Sequence, residues 1–253
     1  DKPFICEAPF SSIKEIEKLL SSNNNLEIID YELRFTPHFI KMKELILNNE
    51  IGKVNTFNFE YLSGFAKDPQ TKWDWSNDLK YGGGYLNLVG GHFIDLANFL
   101  FGNYQKITKS EFCIHKTKKE DYNGALKEVT ADDQAILELQ YPDEISGRIS
   151  VSQISEEEKL CFIVKGTEGV LKVKNNKLFL SREDENTVEL NYDKQLFSGF
   201  DNNLFTIGSY FLGQKIKRYL ENGKPFDYPN LEDALKCQQI IENAYKTWPK
   251  VYK

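Results

Sequence analysis

Methionine is nearly missing from this chain of 253 residues; Met42 is the only one, so Asp1 is not expected to be a translational start. Cysteine is sparse too. Cys6, Cys113, Cys161 and Cys237 are scattered, with no C-x-x-C pair and no histidine at ligand spacing. That pattern argues against a structural zinc site and for buried free thiols in a reducing compartment, so a cytoplasmic location is expected. No charged-then-apolar leader opens the sequence, and no apolar stretch approaches the ~18 residues that span a bilayer. Positive charge is in deficit, with 32 Lys and Arg against 38 Asp and Glu. A net charge of −6 weighs against a nucleic-acid or anionic-membrane partner. The one basic cluster, Lys116, Lys118 and Lys119, adjoins Glu120 and Asp121 and reads as a solvated loop. No G-x-G-x-x-G follows a strand-like run, so no dinucleotide-binding unit is expected within the chain. The glycines at 82–84 lack the preceding strand and the spacing of a phosphate cradle.

What is present falls into three regions. The first, to about Gly102, is mixed. Ser12 followed by Glu15 is a capping-box pattern, and Ile13, Ile16, Leu19 and Leu20 supply a helical stripe. "LEIIDYELRF", residues 26–35, is β-branched enough to predict a strand. Thr36-Pro37 predicts a helix start with Thr36 as N-cap, and Phe39, Met42 and Ile46 line that helix. "VNTFNFEYLSGF" alternates, with Phe57, Phe59 and Tyr61 on one side. "GGGYLNLVGGHFIDLANFLFG" predicts a helix from about Tyr85 to a stop at Gly102, apolar on most of its circumference and therefore buried. His92 and Asp95 are polar groups inside that wall, and each needs a partner there.

The second region, about 105–192, is nearly all strand. "AILELQY" puts Ala135, Leu137, Leu139 and Tyr141 on one face, with Gln134, Glu138 and Gln140 on the other. "ISGRISV" and "TVELNY" alternate likewise, and "KNNK" at 174–177 is a hairpin turn. The stretch 116–129 is the candidate mobile loop. The third region is two helices, about 201–222 and 230–247, the second capped by Asn230. These elements predict an α+β fold: a large, open-faced, mainly antiparallel sheet with helices packed on one face.

"DKPFICEAPF", "RFTPHFIKMKELILNNEIGKV", "GGGYLNLVGGHFIDLANFLFG", "VTADDQAILELQYPDEISGRISVS" and "VKGTEGVLKV" occur in this order. Together they resemble the C-terminal portion of the glucose–fructose oxidoreductase, inositol dehydrogenase and rhizopine-catabolism (Gfo/Idh/MocA) family, closest in flavour to its glucose–fructose oxidoreductase domain-containing proteins. The resemblance implies that residues 1–253 are one substrate-binding and dimerisation domain. Residues 1–10 would be the junction to a nucleotide-binding Rossmann domain absent from this chain. It implies NAD or NADP as cofactor of the parent protein, with none held tightly by this chain alone. It also implies a sugar or polyol substrate and a homodimer formed through the sheet face.

The resemblance further assigns candidate residues. Glu7 and Pro9 would lie on the cofactor side, but Ala8 stands where a lysine is expected. His92 matches the catalytic acid/base, yet Leu88, four residues earlier, replaces an aspartate expected to stack on it. Read from the residues alone, His92 is either an acid/base or a core histidine bonded to a backbone carbonyl or to Asp95. Arg34 is either a substrate or cofactor contact or the partner in a surface or interface salt bridge. Trp73, Trp75 and Tyr81 either wall a sugar site or simply pack. No metal ligand is expected. A catalytically decayed relative, kept as a binding or dimerisation module, is the rival to an oxidoreductase, and redox-assisted glycoside cleavage is a third reading.

Overall fold

The computed structural model describes residues 4–10, 12–22, 26–182, 186–190 and 203–248. The N-terminal part folds as β1 (Phe4–Glu7), α1 (Ile13–Ser22) and β2 (Glu27–Asp30). Ser12 and Glu15 hydrogen-bond to each other at the start of α1, as the capping pattern requires. The two strands pair in parallel, with Phe4 opposite Glu27 and Glu7 opposite Asp30. Parallel neighbours need a crossover, and α1 supplies it.

The strand expected over 26–35 ends at Asp30. Tyr31 leaves the extended region, and Glu32–Phe35 forms one 3-10 turn. Two local bonds account for this. Tyr31 N–H turns back to the Ile29 carbonyl at 2.8 Å, and the Thr36 hydroxyl donates back to Leu33 O at 3.0 Å. Pro37 holds Thr36 extended and opens α2 (Pro37–Leu47), as expected from the sequence. The Thr36 side chain therefore closes the preceding turn and does not cap the helix.

Beyond α2 the alternating segments form β3 (Val54–Leu62), β4 (Lys106–Cys113), β5 (Lys118–Glu120), β6 (Leu126–Glu128) and β7 (Gln134–Gln140). These are followed by β8 (Ser146–Ser152), β9 (Lys159–Gly166), β10 (Gly169–Lys174), β11 (Lys177–Arg182) and β12 (Val188–Leu190). Eight of them make one sheet in the order β12-β11-β10-β9-β3-β8-β7-β4. Only the central β3–β8 pair is parallel. Asn175 and Asn176 both take positive φ in the β10–β11 turn, the type I′ geometry that a two-residue hairpin favours. Residues 191–192 of the expected last strand lie outside the described residues.

Residues 116–129, expected to be a loop, form the β5–β6 hairpin. Lys119, expected in solvent, is buried there with its ammonium 3.9 Å from the Asp133 carboxylate. Alternation along a three-residue strand turns Lys119 inward while Lys118 and Glu120 face out.

The apolar helix expected over about 85–101 is split. Leu86–Gly90 is a π-helical turn, with Gly91 N–H bonded to Leu86 O, and α3 (Gly91–Phe101) follows. Two more helices close the chain, α4 (Leu204–Asn222) and α5 (Leu231–Lys246); residues 201–202 of the expected start lie outside the described residues. Asn230 caps α5 in a reciprocal box with Asp233. The helices cover one sheet face, and the core between them is aromatic. Phe39, Phe59, Phe93 and Phe162 are fully buried there with ring centroids 4.7–5.3 Å apart. The opposite face carries polar pairs such as half-buried Glu138 with exposed Arg148.

Candidate functional site

His92 sits one residue into α3, 7% exposed, with its ring held edge-on by Tyr31 and Phe205. Its Nδ1 lies 3.0 Å from Glu32 Oε2. This partner is neither of those expected from the sequence, a backbone carbonyl or Asp95. Burial pulls the imidazole pKa down, while the carboxylates of Glu32, Glu7 and Asp95 pull it up, and the net shift is upward. Glu32 itself is 2% exposed. The 3-10 turn that replaces the expected strand is what folds Glu32 inward, and α4 clamps it. A Cβ on Gly208 would stand 2.3 Å from the Glu32 carbonyl oxygen, so only glycine permits that approach.

Glu7 and Asp30 meet at the carboxyl ends of the paired strands β1 and β2. Burial, then Glu32 and Glu7, raise the Asp30 carboxyl to about 7. Glu7, Ala8 and Pro9 thus run past an acidic cluster that contains one imidazole. Ala8 brings no charge to it.

Arg34 is committed elsewhere. Its guanidinium grips Asp95 with two nitrogens, Nε at 2.6 Å and Nη2 closer still, and reaches Asp233 at 3.3 Å. It also lies over the Phe99 ring at 5.5 Å. Arg34 does form a salt bridge, but a buried one inside the chain and not the surface or interface bridge expected from the sequence. Asp95 is 1% exposed and owes its charge to this partner. The pair ties the 3-10 turn to α3 and α5, which holds Glu32 and His92 in register.

A groove of about 1480 Å³ opens beside Pro9, between α1, α5 and the segment before α3. Pro9, Trp75, Tyr81 and Asn87 line it, and Trp75 and Tyr81 are more than half exposed. Trp73 is not part of this wall; its indole N–H donates to the Glu128 carbonyl of the β5–β6 hairpin at 2.8 Å. Asn87 donates to Gly83 O, and its buried Oδ1 accepts no hydrogen bond among the described residues. At the groove's edge, Gly84 takes φ +105° so that Asp132 and Tyr245 can close on the backbone. The glycine run thus serves a close-packed turn.

His92 does not line the groove, so the structure brings Glu7, Glu32 and His92 together, and separately Pro9, Trp75, Tyr81 and Asn87. Residues 7–9 join the two. Leu88 lies in the π turn and His92 in α3, so the regular α-helical spacing on which their expected stacking rests is interrupted between them. Glu32 is the residue missed in the sequence. Its only signal was a pair of acids, Asp30 and Glu32, set in an otherwise apolar run.

Against known proteins, residues 39–172, more than half of the chain, match the family model of the GFO/IDH/MocA C-terminal domain. Among curated relatives, glucose-fructose oxidoreductase domain-containing protein 1 of Xenopus tropicalis is 29% identical over 167 residues, 65% of this chain and 42% of that protein. The chain spans between 28% and 45% of the length of the curated relatives it matches. Among solved structures, levoglucosan dehydrogenase in complex with NADH and L-sorbose superposes with a TM-score of 0.83 at 16% identity, covering 99% of this chain and 75% of the other. A super-repressor mutant of Gal80p from Saccharomyces cerevisiae superposes with a TM-score of 0.80 at 19% identity, covering 97% and 70%. These structures share the fold, open sheet and helices alike. The chain belongs to the GFO/IDH/MocA family, as its C-terminal domain.

Proposed function

We propose that this chain is the substrate-side part of an NAD(P)-dependent oxidoreductase that acts on a sugar or polyol in the cytoplasm. The observation that carries the reading is the buried His92–Glu32 pair beside the carboxyl ends of β1 and β2. Open α/β sheets bind their ligands at that end of the strands. A two-stranded parallel sheet is too small to stand alone, and we read it as the edge of a nucleotide-binding sheet completed by residues outside these 253. The NADH complex of levoglucosan dehydrogenase, similar in fold, supports the same reading.

Oxidising a carbinol carbon requires a hydride acceptor, which a bound nicotinamide supplies, and a base for the hydroxyl proton. Glu7 and Pro9 would border that cofactor. Glu32 Oε2, 3.0 Å from Nδ1, faces that side of the imidazole, which leaves Nε2 to take the proton. His92 does not line the groove of Trp75, Tyr81 and Asn87, so these three would hold a part of the substrate remote from the reacting carbon. The polar sheet face would bury against a second copy of the chain.

The test is made on the natural protein that contains this sequence. NADH and NADPH fluorescence titrations should show binding, and a sugar and polyol screen should show turnover. His92→Gln should lower kcat by about 10²–10⁴-fold, the usual worth of an acid/base, with nucleotide binding unchanged. Turnover indifferent to His92→Gln would remove the acid/base assignment. A second reading, a non-catalytic binding module, draws on Ala8 and on the likeness to Gal80p. It expects nucleotide binding without turnover of any compound in the screen.

A further inference from the structure

We propose that Glu7, Glu32 and His92 form a binding site for one divalent first-row transition-metal ion. A carboxylate oxygen from each glutamate and a ring nitrogen of His92 all lie within 4.8 Å of one another. The second observation is Glu32. Its side chain is almost wholly removed from water, and neither carboxylate oxygen has a hydrogen-bond partner among the described residues. His92 Nδ1 is in the same condition. The imidazole nitrogen and the carboxylate oxygen are 3.0 Å apart yet lie off the line of a hydrogen bond. Two electron-pair donors converging on a third point have this disposition. A buried carboxylate without donors is costly, and a cation at the common point removes that cost.

Local charge points the same way. Glu7, Glu32 and Asp30 crowd one imidazole, and Asp30 Oδ1 is also buried without a hydrogen-bond partner. The neighbouring cation, Arg34, is held by Asp95 and Asp233. Two ionised carboxylates and a neutral imidazole balance a 2+ charge. The donor set, two oxygens and one aromatic nitrogen with no thiolate, suits Mn²⁺, Fe²⁺, Co²⁺ or Zn²⁺, since Ca²⁺ and Mg²⁺ prefer oxygen alone. Metal–ligand bonds of about 2.0–2.2 Å put adjacent ligand atoms roughly 3.0–3.5 Å apart. The cluster must therefore contract by about 1–2 Å, which a rotamer change of exposed Glu7 supplies. The same exposed residue provides an entry path for the ion.

Cation binding is measurable without nucleotide or substrate, so its failure is distinct from failure of the oxidoreductase reading. The natural protein that contains this sequence, stripped with EDTA, is titrated with MnCl₂ by electron paramagnetic resonance and with CoCl₂ by visible absorption. One saturable site per chain is expected. Glu7→Gln and Glu32→Gln should each weaken it by at least ~10-fold, a typical cost for disturbing a metal site. Glu221→Gln, an exposed acid on α4, should leave it unchanged. Should Glu32→Gln fail to fold, Glu7→Gln on the exposed strand end decides the matter. No saturable binding, or binding indifferent to Glu7→Gln, would overturn the site and leave a proton-sharing pair only.

Discussion

Replacing Arg34 by methionine keeps an unbranched apolar stem and deletes the guanidinium, with its place over the Phe99 ring. Asp95, 1% exposed, then loses both of its hydrogen-bond donors in a place water does not reach. Breaking a buried ion pair from one side costs about 3–5 kcal/mol, because the remaining charge has no solvation. At about 2–4 °C per kcal/mol for a chain of this size, the melting temperature should fall by roughly 6–20 °C. The loss should also depend on pH. Burial already pushes the Asp95 carboxyl up to about 6 against the pull of Arg34, and without Arg34 it rises further. The native variant then binds a proton that the unfolded chain releases near 3.8, so the variant loses stability as pH climbs toward the new native pKa. The deficit against wild type should be smaller at pH 5.5 than at pH 8, by up to about 1.4 kcal/mol per pH unit. Adding Asp95→Leu removes the stranded charge and should recover much of the stability. Chemical denaturation at the two pH values, for wild type, Arg34→Met and the double variant, reads all of this. A loss below about 1 kcal/mol that is equal at both pH values would refute the structural role given to the pair.

Two further expectations rest on the same cluster. Gly208→Ala drives a Cβ into the Glu32 backbone and should cost about 1–3 kcal/mol by overpacking; an unchanged melting temperature would mean that α4 slides off the 3-10 turn freely. For Asp30, the native carboxyl holds its proton to about pH 7 and the unfolded one to 3.8. The native state therefore binds more protons in that window, and Asp30 makes stability fall as pH rises through it. Asp30→Asn should remove that contribution, so wild type should lose ground to the variant between pH 4 and pH 7. Parallel stability–pH curves would contradict the upward shift.

Much of the fold was legible because its signals are local. Alternation in "AILELQY" and "VNTFNFEYL" fixes which side of each strand faces a core, whatever that core contains. Asn175-Asn176 can take positive φ and make a tight turn, Asn230 can cap a helix, and Gly102 can end one, all within a few residues of chain. Where a local preference met a distant partner, the reading slipped. The β-branched run at 26–35 favours a strand, but β1 offers it only four residues of pairing, and the chain then turns to dock beneath α4. Lys119 resembles its solvated neighbours until a three-residue strand turns it toward Asp133.

The sequence by itself determined most of the strands and helices, their apolar faces, the α+β class and the presence of one histidine in a buried helix. Only the tertiary structure decided what that histidine meets. Glu7, Glu32 and His92 come from a strand end, a 3-10 turn and a helix, 25 and 60 residues apart along the chain. Proximity between such positions depends on how a parallel strand pair, a glycine contact and a buried arginine bridge settle together. Patterns that repeat over two or four residues carry no record of it.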